Sequence, residues 1–137
     1  MYTTNNLSHS EAAEIIEMIR TRVEAYGKGA SIAVVDSHGE LLAFLRTDNC
    51  RPSVINISIN KAYTAARECN ESGNIGRAAR EFDFPITNFG DLRYTGWDGG
   101  YPIIFDGRVI GGVGVSGLPD EVDMELAKAG AELFSKI

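Results

Sequence analysis

The stretch GGYPIIFDGRVIGGVGVSGLPDEVDMELAKAG, residues 99–130, decides the fold. Tyr101–Phe105 and Arg108–Ser116 are rich in β-branched and aromatic residues, as strands are. Asp106-Gly107 between them is a two-residue hairpin signal, because both positions tolerate the positive φ that such turns demand. After Gly117 to Pro119 the period changes. Asp120 is placed to N-cap a helix, with Glu121 and Asp123 in its first turn, where negative charge suits the helix dipole. Val122, Leu126, Ala129, Leu133 and Phe134 form the stripe that this helix would bury. Gly111, Gly112 and Gly114 within a strand mark a close backbone approach, with packing the favoured cause.

Upstream, the same reading continues. Ser31–Asp36 (SIAVVD) and Leu41–Arg46 (LLAFLR) are strands joined at Ser37, His38 and Gly39. Tyr94–Trp97 is read as a further short strand, with Gly99-Gly100 as a turn. Ser8 and Glu11 form a capping box, Leu7 is placed to staple against Ala12, and an apolar stripe runs from Ala12 to Tyr26. A second helix is predicted over Ser53–Cys69, with Val54, Ile57, Ala62, Ala65 and Ala66 inward. A third is predicted over Ile75–Phe82, followed by an ordered loop through Leu92. The order α-β-β-α-α-β-β-β-α predicts an α+β fold with an antiparallel sheet of about five strands, flanked by helices.

One domain accounts for 137 residues. A net charge of −6, with basic residues scattered among acidic ones, argues against nucleic acid as a partner. No run is apolar enough to span a membrane, and Met1–Ser10 does not read as a signal peptide, so the cytoplasm is the expected location. Cys50 and Cys69 have no metal-like spacing, and no zinc site, phosphate loop, nucleotide fingerprint or Ser-His-Asp arrangement is present.

Two blocks then align with a known pattern. The first is SIAVVDSHGELLAFLRTDNC with NKAYTAA; the second is residues 99–130. An AVVD-x-x-G hairpin ends at Gly39, Arg46-x-Asp48 follows the second strand, and Lys61-Ala62-x-Thr64-Ala65 lies on the helix. Gly99-Gly100-x-Pro102 and Gly114-Val115-Ser116-Gly117 complete the set. In these positions the chain resembles the GlcG/HbpS-like family, which also occurs as the C-terminal domain of PduO-type proteins. The resemblance implies a profilin-like fold, homo-oligomers, and a small-molecule ligand, with haem or a related tetrapyrrole as one possible cofactor. Other members accompany catabolic enzymes for small organic acids. The chain departs from the pattern at Asn49-Cys50 and in the aromatic stretch Phe82–Trp97, and loops are where ligand specificity usually lives.

The candidate residues have alternative readings. Arg46 and Asp48 form either a structural ion pair or, with Arg51, part of a clamp for a carboxylate. Lys61 either snorkels or is desolvated, in which case it can act as an acid, a base or a Schiff-base former; in an enzyme, Lys61, Asp123 or Cys50 would move protons. Cys50 is either a buried thiol or a thiolate stabilised by Arg46 and Arg51; Cys69 is expected in the core. Gly99, Gly100 and Pro102 form either a tight turn or a backbone cradle for an anion. Trp97, Tyr94 and Tyr101 line either an apolar pocket or a subunit interface. His9 and His38 are poor iron ligands within one chain. Three functions stay open: a binder of haem or another small ligand, an acid–base enzyme acting on a small carboxylate, and an oligomeric accessory protein without chemistry.

Overall fold

A computed structural model describes residues 1–136. The elements are α1 (His9–Tyr26), β1 (Ser31–Asp36), β2 (Leu41–Arg46), α2 (Ile55–Glu68), α3 (Ser72–Glu81), β3 (Gly100–Phe105), β4 (Arg108–Ser116) and α4 (Asp120–Glu132). Short 3-10 turns cover Pro52–Val54 and Ile86–Phe89. The sheet has four strands, all antiparallel, in the order β2-β1-β4-β3.

The expected fifth strand is absent among the described residues. Tyr94–Trp97 is a loop whose polar backbone is satisfied by side chains instead of a ladder. Thr95 N–H donates to Thr64 Oγ1 at 3.0 Å, and Ser72 Oγ donates to the Trp97 carbonyl at 2.6 Å. The element order is therefore α-β-β-α-α-β-β-α.

Local signals explain most boundaries. The Ser8–Glu11 capping box forms in both directions, and Gly27 ends α1 at φ +90°. α3 begins at Ser72, three residues before the predicted start; Gly73 and Gly76 had masked its helical pattern. Pro119 holds the extended cap position before α4, which makes Asp120 its first residue and not its cap.

The two faces of the sheet differ in kind. α1 and α4 cover one face with the main apolar core, built from Ile15, Ile19, Val23, Ile32, Val34, Ile103, Val113 and Val115 among others. α2 covers the opposite face, crossing β1, β4 and β3. There the apolar cluster is only Ala33, Val35, Ala62 and Ala66. Gly112 and Gly114 bring the helix close: a Cβ at Gly114 would run into the Ser58 carbonyl, and one at Gly112 would lie 2.6 Å from the Ala62 carbonyl oxygen. α2 is consequently buried on every side from Lys61 to Ala66, and not along a single stripe. Ser31, Ser58, Lys61, Thr64 and Ser72 are the polar groups it buries or meets. Cys69 is exposed at the left-handed end of α2, where chain geometry and not the core claims it.

Candidate functional site

Lys61 is carried into the protein by the middle of α2, and Asp123 by the first turn of α4. Their side chains are 3% and 2% exposed. Lys61 Nζ donates to the Val115 carbonyl at 2.9 Å and to Asp123 Oδ2 at 3.3 Å. Asp123 Oδ1 accepts the Leu118 N–H at 3.1 Å. Every oxygen of the carboxylate is thus engaged. An ammonium has three hydrogens, and two are used here. Burial pushes the Asp123 carboxyl up to about 6, against the opposing pull of the Lys61 charge and the Leu118 N–H. Burial likewise draws Lys61 below its ordinary range, with Asp123 opposing. A carboxyl so placed can exchange a proton near neutral pH.

Gly99 makes this geometry possible. Its φ is +119°, and a Cβ there would lie 2.5 Å from the Val115 oxygen and 2.8 Å from Lys61 Nζ. The Val115 N–H donates to the Gly99 carbonyl at 2.9 Å. The Gly100 N–H donates to Ser72 Oγ at 2.9 Å, so the glycine pair's hydrogen bonds hold the protein's own elements together. Pro102 is buried and pairs with Gly112, and Tyr101 packs against the main core.

Above the Lys61–Asp123 pair opens a cleft of about 160 Å³, walled by Arg51, Ile57, Trp97, Ser116, Leu118 and Asp120 among others. Arg51 follows β2 in the loop, and Trp97 precedes β3. The fold therefore brings together four residues singled out in the sequence: Arg51, Lys61, Trp97 and Asp123. Arg51 makes no ion pair among the described residues.

The other candidates lie elsewhere. Arg46 and Asp48 are exposed, and no ion pair joins them among the described residues. Asp48 lines a separate depression with Lys28 and Asn49. Cys50 is half-buried, and burial pushes its thiol up more than Arg46 and Arg51 pull it down, which opposes a stabilised thiolate. Ser72, Ser116, Asp120 and Thr64 were not assigned to a site from the sequence; Thr64 lay within the quoted Lys61-Ala62-x-Thr64-Ala65 motif and Asp120 was read only as a helix cap. Ser116 lay within the quoted Gly-Val-Ser-Gly motif, whereas Ser72 carried no local signal. Two residues beyond Lys61 along α2, the Tyr63 hydroxyl meets Asp91 and also Arg93, at 2.7 Å.

Comparison with known proteins agrees with this architecture. A family model described as "Haem degrading protein HbpS-like" matches residues 7–132. Protein GlcG of Escherichia coli strain K12 is 36% identical over 122 residues, which is 85% of each chain. A double mutant of Streptomyces reticuli HbpS superposes with a TM-score of 0.88 at 25% identity, covering 99% of this chain and 92% of that one. The structure titled PduOC:Heme Complex superposes with a TM-score of 0.87 at 20% identity, covering 96% and 100%, a likeness of fold. Among the described residues no helix is long and apolar enough to cross a membrane. With a family model spanning nearly its whole length and a curated relative at this identity, the chain belongs to the HbpS-like family.

Proposed function

We propose that the protein binds a small molecule bearing a carboxylate in the cleft above Lys61 and Asp123. The observation that supports this reading is an Arg51 guanidinium with no ion-pair partner among the described residues, beside a desolvated lysine whose third hydrogen meets no acceptor among them. A guanidinium fork matches a carboxylate in two parallel hydrogen bonds. Asp120, in the walls of the same cleft, supplies an acceptor for a neighbouring hydroxyl. If the ligand is turned over, Asp123 is the group that would hold or move a proton, with Lys61 setting its charge; Cys50 lies outside the cleft walls.

Haem is the second reading, favoured by what the relatives are named for. The family model carries haem degradation in its description, and PduOC is titled as a haem complex. The residues of this cleft do not fit that group within one chain. Its walls hold no His, Cys, Met or Tyr to meet iron, and Lys61 Nζ is already bonded to Val115 and Asp123. His9 and His38 are exposed and lie outside it. A haem site in this protein would call for a second copy of the chain, and homo-oligomer formation belongs to that reading.

Titration calorimetry with propionate, alongside native mass spectrometry before and after adding haem, separates the two. Saturable propionate binding with no retained haem supports the carboxylate reading. A haem-bound oligomer of fixed stoichiometry, with no propionate binding, would replace it.

A further inference from the structure

We infer that the ligand is amphipathic: its carboxylate meets Arg51 and Lys61, and an apolar body lies across Trp97 in the groove between α3 and residues 94–97. This rests on the carboxylate reading and names the class of molecule that reading takes.

The head cleft alone, at about 160 Å³, is smaller than ordinary small-molecule sites, which span roughly 300–1,000 Å³. A second groove of about 380 Å³ shares Trp97 with it and is walled by Gly76, Ala79, Ile86 and Gly96, with Arg80 as its charged member. Trp97 lines both. One indole therefore separates a charged cleft from a mainly apolar one, and a molecule spanning it would reach the usual size.

Trp97 is also held in readiness. The residue is 57% exposed, an unusual position for the single tryptophan of a chain. The loop beneath it is fastened at three points, two of them through its backbone. Thr64 takes the Thr95 N–H, Ser72 donates to the Trp97 carbonyl, and Asp98 pairs with Arg77 at 3.1 Å. Gly76 and Gly96 let the loop lie directly on α3, since a Cβ on Gly76 would collide with the Gly96 carbonyl. An exposed aromatic on a fixed backbone needs little reordering to bind, and that favours affinity. Apolar area on the ligand, placed against Ala79, Ile86 and the indole, would strengthen binding by roughly tenfold or more for a phenyl ring.

The probes are propionate, 3-phenylpropionate and 3-phenylpropan-1-ol, followed by calorimetry and by Trp97 fluorescence, which reports this site alone. The expected result is 3-phenylpropionate binding about tenfold tighter than either of the others, with a shift in emission. Ala79→Glu, on the groove wall, removes the advantage of the ring and leaves propionate binding as it was; Ile86→Asn repeats the test should Ala79→Glu misfold. Propionate binding with no gain from the ring overturns the inference and leaves the carboxylate reading standing. Binding of neither acid overturns both. Equal binding of the alcohol and the acid overturns the assignment of the head. Self-association that Trp97→Ala abolishes, with no acid binding, would give the groove to a second copy and overturn the inference.

Discussion

The two faces of one sheet do different work. Toward α1 and α4 the protein is filled with Ile, Val and Leu, and what holds that face is apolar area removed from water. Toward α2 the apolar cluster is small, Ala33 and Val35 against Ala62 and Ala66, and at Gly112 and Gly114 the helix backbone approaches the sheet closely; the same helix buries a lysine against its aspartate. Lost volume should cost most on the first face, and added volume at Gly112 and Gly114 on the second. The candidate site belongs to the second because charge can be kept out of water only where each polar atom finds a fixed partner.

The largest expected effect of a single change falls on the buried pair. Lys61→Met should destabilise the protein by about 3–5 kcal/mol, because Asp123 is left buried without its partner. Adding Asp123→Leu should return much of that loss. Denaturant unfolding of the single and double variants checks this, and additive losses would show that the two residues are not coupled.

Opposite substitutions on the two faces come next. Ile19→Ala removes volume from the apolar face and should cost about 2–5 kcal/mol through the cavity it leaves. Gly114→Ala adds one methyl to the α2 face and should cost about 1–3 kcal/mol by forcing α2 from the Ser58 carbonyl contact. A neutral Gly114→Ala would mean that α2 rides further from the sheet than described.

The last effect is a pH dependence. Asp123 has its carboxyl raised from 3.8 to about 6 in the folded chain. Between those values the folded state keeps a proton that the unfolded state has lost. The stability contribution of Asp123 is therefore full below about pH 4 and declines as pH rises toward about 6, by at most about 1.4 kcal/mol per pH unit. Carbon-13 NMR of the Asp123 carboxyl should show a midpoint near 6. A midpoint at or below 3.8 would show that the Lys61 charge outweighs burial.

Legibility in the sequence followed the same division. The 106–107 hairpin, the capping box at Ser8 and the apolar stripe of α1 could be read directly, because local chemistry determines them. Tyr94–Trp97 looked like a strand from its aromatic content, yet Thr64 and Ser72 claim its backbone, and both are distant in sequence. Asp123 could be read as a first-turn acid that suits a helix dipole. Its burial against Lys61 depends on a contact across 62 positions that no period reveals. Arg46 and Arg51 were indistinguishable by type and spacing; only the path of the loop after β2 places Arg51 at the cleft and leaves Arg46 outside it. Cys69 read as core because it follows an apolar stripe, but it falls on the left-handed residue that ends α2.

The most direct test of the account is a propionate titration of the wild-type chain and of Arg51→Ala, read by calorimetry with thermal unfolding of both. Arg51 is exposed and makes no ion pair among the described residues, so its loss should leave the midpoint of unfolding unchanged. The account predicts saturable binding in the wild type, weakened about tenfold or more in Arg51→Ala, as expected when a charge-assisted pair is removed. Superimposable titrations of the two proteins, or no binding by either, would contradict it.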